Sequence, residues 1–428
     1  MFDIKIQICI FISNKFVFLY QTKFDAMVLE SVISYVVEQQ RIRFTSRDTG
    51  LIRELIPATQ SLSSHALIIS GVRRCGKSTL LMQMMKELDD KLVLFLNFES
   101  PQLYEFSILD FPRLDNIIAN KGAKILFFDE IQLVEGWEMY VRQKLDESFR
   151  VIITGSNASL LSKELGTRLT GRHITQELFP FSYTEFLAFR TLMPDAVSLL
   201  TYMKVGGFPE YVKIGDPEQL ATFFDDVLIR DIVTRYGIKD IRSLHRLANY
   251  LISNIGNRIT ATKLKQPLSI GATSTILSWF SHLELSYLVS FLPMFSHSAK
   301  AQLINPRKVY AIDLGLVDVI SSSMTDDLGR KLENLVFLHL RRKYNELYYF
   351  DDKGECDFVA MKNGNVTELV QVCYELTPDN LNRELNGLVK AMQFFNFIEA
   401  KIVTFSTTDV VESNGFRIEV VPAYNYLV

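Results

Sequence analysis

The sequence predicts an α/β protein, and three observations carry that reading. Short β-like runs alternate with helical stretches from His65 to about Leu178, as in a parallel sheet with crossover helices. The runs are Ala66–Ser70, Leu92–Phe98, Ala123–Asp129, Arg150–Gly155 and His173–Leu178. Their near-continuous apolarity marks strands buried on both faces. A glycine-bearing turn joins the first run to a helix, and a second alternation of helix and strand closes the chain after a polar stretch, Ser321–Asp327.

At 428 residues, 48% hydrophobic and 22% charged, the chain is long enough for several domains with sizeable cores. A net charge of −3 does not mark a nucleic-acid binder, so any DNA contact has to come from a local basic patch. Cys9, Cys75, Cys356 and Cys373 lie far apart with no CxxC pair. They read as reduced thiols of a cytoplasmic protein, without a zinc site or a disulfide framework. No run of eighteen apolar residues exists, so no membrane span is expected. The apolar stretch Ile6–Tyr20 is broken by Asn14 and Lys15. Translation is expected to start at Met27, just ahead of the helical pattern Val28–Arg41, with a signal segment as the alternative for residues 1–26.

The first β-like run leads into Gly71-Val-Arg73-Arg74-Cys75-Gly76-Lys77-Ser78, which satisfies GxxxxGK[ST] in full, and a helix opens at Thr79. Glycines let such a loop curl so that backbone N–H groups face phosphate oxygens, while the helix start adds partial positive charge. Lys77 is expected to reach the β/γ oxygens and Ser78 to offer its hydroxyl to Mg²⁺. Gly71, Arg73, Arg74, Cys75, Gly76 and Thr79 complete the expected nucleotide-binding set. The implied ligands are ATP and Mg²⁺.

About fifty residues on, Ile125-Leu-Phe-Phe-Asp129-Glu130 ends a strand in two acids, at the carboxyl edge where α/β proteins bind ligands. Asp129 is expected to hold the metal and Glu130 to polarise an attacking water. Ser156 and Asn157 follow the next strand, where a polar side chain touches the γ-phosphate or merely caps a turn. Arg172, with Arg168, is a candidate arginine finger, within the chain or toward a neighbouring copy, or else a solvated arginine. Met82, Met84 and Met85 read as core packing.

The segments GVRRCGKSTLL, FFDEIQLVEGWE, TGSNASLL and GRHITQELFPFSYTEF resemble prokaryotic AAA+ ATPases of the archaeal and Bacteroidetes type. GGFPEY, KVYAIDLGL, ENLVFLHL and GECDFV extend the resemblance to the end of the chain. It implies a P-loop core (65–180) after an N-terminal extension and helical region (1–64). A helical lid (181–256), a winged-helix unit (257–320) and a C-terminal α/β, nuclease-like domain (328–428) follow.

The expected recognition helix of the winged-helix unit, Gly271–Leu285, carries no Lys or Arg, which favours packing or protein contact over DNA. In the nuclease-like end, Glu333 and Asp357 are candidate metal ligands, but Gln371 and Cys373 stand where an acid and a lysine belong. Cleavage is therefore not expected. The chain reads as an ATPase coupling nucleotide state to its C-terminal modules. The alternatives are an ATP switch that recruits a protein or DNA partner, and, less favoured, a DNA-processing nuclease. A homo-oligomer is compatible with all three.

Overall fold

The computed structural model describes residues 7–12, 15–20, 27–55, 64–158, 169, 171–321, 327–352, 354–413 and 415–428. An antiparallel hairpin, β1 (Gln7–Ile12) and β2 (Lys15–Tyr20), precedes helix α1 (Glu30–Ser46). The first α/β unit then runs β3 (Ala66–Ser70), α2 (Lys77–Lys86), β4 (Val93–Asn97), α3 (Phe111–Lys121), β5 (Ile125–Asp129), α4 (Trp137–Asp146), β6 (Arg150–Gly155) and β7 (His173–Glu177). These strands form one parallel sheet in the order β4-β5-β6-β3-β7.

Alternating side chains divide the sheet between two interiors, because successive strand residues point to opposite faces. Ile68, Leu94, Leu126, Phe128 and Ile153 pack with Ile33 and Val36 of α1, Leu114 of α3 and Tyr140 of α4. Leu67, Ile69, Phe95, Phe127 and Ile152 face a second, larger interior. The central strands are buried on both faces as predicted. β7, at one edge of the sheet, is instead part exposed, whereas the other edge strand, β4, is covered by Phe44 and Gln40 of α1.

The larger interior continues through α5 (Tyr183–Arg190), α6 (Ala196–Val205), α7 (Pro209–Ile214), α8 (Pro217–Asp226), an eight-residue π-helix (Val227–Thr234) and α9 (Ile241–Ser253). It next takes in a three-stranded unit with strand order β8-β10-β9. This unit comprises β8 (Arg258–Ile259), α10 (Ala261–Leu264), α11 (Thr273–Leu285), β9 (Val289–Leu292), α12 (Ala299–Ile304), β10 (Arg307–Ala311) and α13 (Leu314–Ile320). Ile276, Trp279, Phe280 and Leu283 of α11 point inward. The Asp313 carboxylate ties this unit to the helices before it, accepting from the Leu316 amide at 3.2 Å and from the Gly207 amide at 2.5 Å.

The last unit is α14 (Leu328–Lys343), β11 (Glu346–Asp351), β12 (Glu355–Lys362), β13 (Asn365–Val372), α15 (Pro378–Phe395), β14 (Glu399–Thr404), β15 (Asp409–Ser413), β16 (Phe416–Pro422) and α16 (Ala423–Tyr426). Its sheet order is β11-β12-β13-β14-β16-β15, with α14 and α15 on opposite faces. The sequence reads here as helix, three strands, helix and two strands, so the six-stranded sheet holds one strand more than expected. β15 is an edge strand with Val410 exposed, so it lacks the buried run that signals a strand.

Among the described residues no helix is long and apolar enough to cross a membrane.

Candidate nucleotide site

The site grows from the carboxyl edge of the parallel sheet. Register places Asn97 beside Asp129, Ile69 beside Thr154 and Ser70 beside Gly155. Four strand ends therefore open on one place. The turn after β3 exists because glycine stands at both of its ends. A Cβ at Gly71 would lie 2.1 Å from the Leu178 carbonyl oxygen, and Gly76 sits at φ +104°. Arg74, between them, is also left-handed at φ 61°. α2 opens at Lys77, two residues earlier than the sequence suggests.

The structure brings Lys77, Ser78, Asp129 and Glu130 together. Ser78 Oγ donates to Asp129 Oδ2 at 2.7 Å. The buried Lys77 ammonium lies 3.7 Å from Glu130 Oε1 and donates to the loop carbonyls of Gly71 and Val72 at 3.0 and 3.1 Å. Asp129, fully buried, also accepts from Asn97 Nδ2 at 2.7 Å and from the Thr154 hydroxyl. Burial and the adjacent Glu130 push its carboxyl up to about 6, against the pull of Thr154, Ser78 and Lys77. Burial pushes Glu130 up as well, but Lys77, Gln132 and Arg73 together hold it below the usual glutamate range. Two adjacent acids thus have separated proton affinities. Glu130 also adopts φ 54°, a left-handed conformation that costs a non-glycine residue energy and recurs at functional sites.

Thr154 and Asn97 carry no motif and were not expected here. Thr154 Oγ1 donates to Asp129 and accepts from the Glu130 amide at 3.2 Å, so one hydroxyl orients both acids. Ser156 and Asn157 are buried at the end of β6, and the Asn157 carbonyl accepts from Ser70 Oγ at 2.9 Å. Cys75 is buried with its thiol 3.4 Å from the Leu178 carbonyl oxygen, and burial pushes its pKa up, so it packs inside the loop. Thr79 lies in the first turn of α2, half-buried. Met82 and Met84 are core residues and Met85 packs against that core, as predicted.

Arg172 does not join the site. Its carbonyl accepts from the Ala66 amide at 3.1 Å, which puts it at the entry of β3, roughly 13 Å along the strand from Ser70 at about 3.3 Å per residue. Its guanidinium pairs with Asp146 at 2.8 Å. A residue preceding a parallel strand sits at the edge opposite the one where loops leave the strands, so an intrachain arginine finger at 172 is corrected. Arg168 lies outside the described residues.

A different arginine holds the loop. Arg53 is buried and donates to the Cys75 carbonyl at 2.8 Å and the Phe179 carbonyl at 2.8 Å. It also forks onto Glu185 at 2.7 and 3.0 Å. Gln83 fixes the same segment by donating to the Thr49 and Leu51 carbonyls and accepting from the Arg53 amide. Removing one partner of a buried ion pair strands the other, so Arg53→Met is expected to lower stability by about 3–5 kcal/mol. Chemical denaturation measures this, and a loss below about 1 kcal/mol, the worth of an exposed pair, contradicts the assignment.

In the last unit the structure does assemble Glu333 and Asp357, but around a lysine. Lys308 Nζ lies 2.7 Å from Asp357, 3.0 Å from Glu333 and 3.3 Å from Glu355. Burial disfavours its charge, yet those three carboxylates keep it protonated. Burial and Asp357 raise Glu333 to about 7. Gln371 Oε1 accepts from the Asp357 amide at 3.1 Å, and Gln371 Nε2 donates to Glu384 at 2.7 Å. The half-buried Cys373 donates to the Glu375 carbonyl. Lys308 reaches these acids from β10, in another unit. Among the described residues no group of three or more His, Cys, Asp or Glu side chains is arranged to hold a metal ion.

Residues 63–187 match the AAA domain family, and residues 197–327 match a domain of unknown function (DUF8612). The chain is 35% identical over 390 residues to the uncharacterized protein MJ1544 of Methanocaldococcus jannaschii, covering 84% of this chain and 87% of that protein. An uncharacterized protein of Haemophilus influenzae is 34% identical over 348 residues, covering 75% and 85% of the two chains. Similar solved structures include AMPPCP-bound DnaA from Aquifex aeolicus (15% identity, TM-score 0.27, 53% of this chain and 84% of that one). Cdc6p from Pyrobaculum aerophilum is another (14% identity, TM-score 0.26, 69% of this chain and 97% of that one).

Proposed function

The chain belongs to the family of AAA-domain proteins that includes MJ1544 of Methanocaldococcus jannaschii, and from that premise we propose that it is a magnesium-dependent ATPase. The observation that carries the reading is the contact of Ser78 Oγ with Asp129 at 2.7 Å beside the Lys77–Glu130 pair at 3.7 Å. A hydroxyl, a carboxylate, an ammonium and a second carboxylate stand in the order that triphosphate hydrolysis needs.

The donor set fits magnesium. This ion takes one or two protein oxygens and completes its shell with water and phosphate, rather than a cage of acids. Ser78 and Asp129 would hold it, and the ion would supply neutralisation of charge on the phosphates. Lys77 would trade the Gly71 and Val72 carbonyls for phosphate oxygens.

 Glu130, ionised and held by Lys77, Gln132 and Arg73, would accept the proton of the attacking water. Thr154 keeps both acids in place.

The direct test is turnover by the purified full-length chain. Phosphate release from ATP is expected with Mg²⁺ and is expected to stop when a chelator removes the ion. Release that continues undiminished without divalent metal would reject the role given to Ser78 and Asp129.

A second reading, an ATP switch with little turnover, draws on the contacts between the phosphate loop and the helical region. Tight binding with a large rise in Tm but no steady-state phosphate release would favour it. In either reading the C-terminal units are the part that meets a protein or DNA partner. The nuclease-like reading stays a matter of fold, since Lys308 fills the space between the acids.

A further inference from the structure

Arg73 lies inside the phosphate loop, yet its charge is already engaged. Its Nε donates to both carboxylate oxygens of Asp231, at 2.9 and 3.1 Å, and its Nη1 donates to Glu99 at 3.0 Å. Glu99 also receives Arg230 at 3.3 Å. The second loop arginine, Arg74, faces Glu210 at 3.5 Å and Asp226 at 3.9 Å. Asp231, Asp226 and Glu210 all come from the helical region that follows the sheet. Asp231 is buried, whereas Glu99 is exposed, so Asp231 is the fixed member of this set.

Three physical points converge here. A guanidinium fork binds carboxylate and phosphate with the same donors, so Asp231 and a nucleotide phosphate compete for Arg73. Arg73 belongs to the same loop as Lys77, whose ammonium lies 3.7 Å from Glu130, so its guanidinium starts from the loop that meets the phosphates. Asp231 lies within the π-helix Val227–Thr234, in the middle of a helix that is α-helical on both sides. π segments are rare and recur at functional sites. Shifting the register of this segment by one residue would swing Asp231 by about 100° around the helix axis, away from the loop.

We propose that Asp231 is a positioning residue that acts through Arg73. It holds the arginine and yields it to a competing terminal phosphate, so that the helical region senses triphosphate against diphosphate. The proposal rests on the ATP-binding reading above. Linkage makes it testable: if triphosphate breaks the Arg73–Asp231 pair, breaking the pair beforehand must favour triphosphate by the same factor.

The experiment is calorimetric titration of the full-length chain with a non-hydrolysable ATP analogue and with ADP, each with Mg²⁺. Asp231→Asn keeps the shape and removes the charge. It is expected to tighten the triphosphate analogue about tenfold, within the usual range of such couplings, and to change ADP far less. Asp231→Glu, which restores the carboxylate, is expected to return the ratio toward that of the unaltered chain. Glu99→Gln, at an exposed position, is expected to move it in the same direction as Asp231→Asn and serves if that variant does not fold. An unchanged triphosphate-to-diphosphate ratio in these charge-removing variants, with the unaltered chain binding normally, overturns the role of Asp231 alone. Failure of every variant and of the unaltered chain to bind either nucleotide overturns the ATP-binding reading as well.

Discussion

Glu130→Gln is expected to bind ATP as the unaltered chain does and to lose turnover by roughly a hundredfold to ten-thousandfold, the usual worth of a positioned general base. The amide keeps the size of the side chain and can still meet Gln132, but it cannot take a proton. Its environment gives the prediction its direction. Burial alone would make Glu130 a poor base that stays protonated, yet Lys77 at 3.7 Å, Gln132 and Arg73 keep it ionised. Asp129, by contrast, is raised to about 6 and already accepts from Ser78, Asn97 and Thr154. The two acids are therefore not interchangeable. Single-turnover phosphate release separates the steps. Should the amide variant turn over at the unaltered rate, the water is activated by some other group.

Lys77→Ala removes binding itself. The ammonium makes two hydrogen bonds to the loop carbonyls, and both donors can turn to phosphate oxygens. Charged hydrogen bonds contribute about 1.5–3 kcal/mol each, so losing two weakens ATP by at least about a hundredfold. The substitution also leaves Glu130 without the nearest cation, which makes a fold control necessary. Titration with ATP, read beside the Tm of the same sample, checks this. Near-normal affinity in a folded Lys77→Ala chain would mean that the phosphates bind elsewhere.

The loop was legible because its chemistry is local. Gly71, Gly76, Lys77 and Ser78 must stand at fixed offsets for a chain to curl and then start a helix, and the run ending at Asp129 shows its burial in its own composition. Residues that act through distant register were not legible. Thr154 reaches Asp129 across 25 positions, Arg53 reaches Glu185 across 132, and Lys308 reaches Asp357 across 49. No spacing rule links such pairs, because the sheet order and the packing of separate units bring them together. Arg172 shows the converse error. Its nearness in sequence to the fifth strand suggested nearness to the phosphates, but strand direction put it at the far edge. The π-helix around Asp231 also left no periodic trace, since it differs from an α-helix by a shift that an apolar pattern of eight residues does not resolve.

The larger apolar interior runs from Leu67 and Phe127 in the first sheet, through Phe223 and Trp279, to Phe358 and Leu427 near the end of the chain. Boundaries drawn between units therefore fall at loops on the outside while the packing beneath them is shared. Units that share this interior are expected to be coupled in stability, since removing one exposes apolar surface of the next. A fragment ending near Phe181 would present one side of its sheet, Leu67, Ile69, Phe95 and Phe127, to water, and would clump before it could be assayed. The terminal unit thus shares one apolar interior with the loop residues Val72 and Cys75.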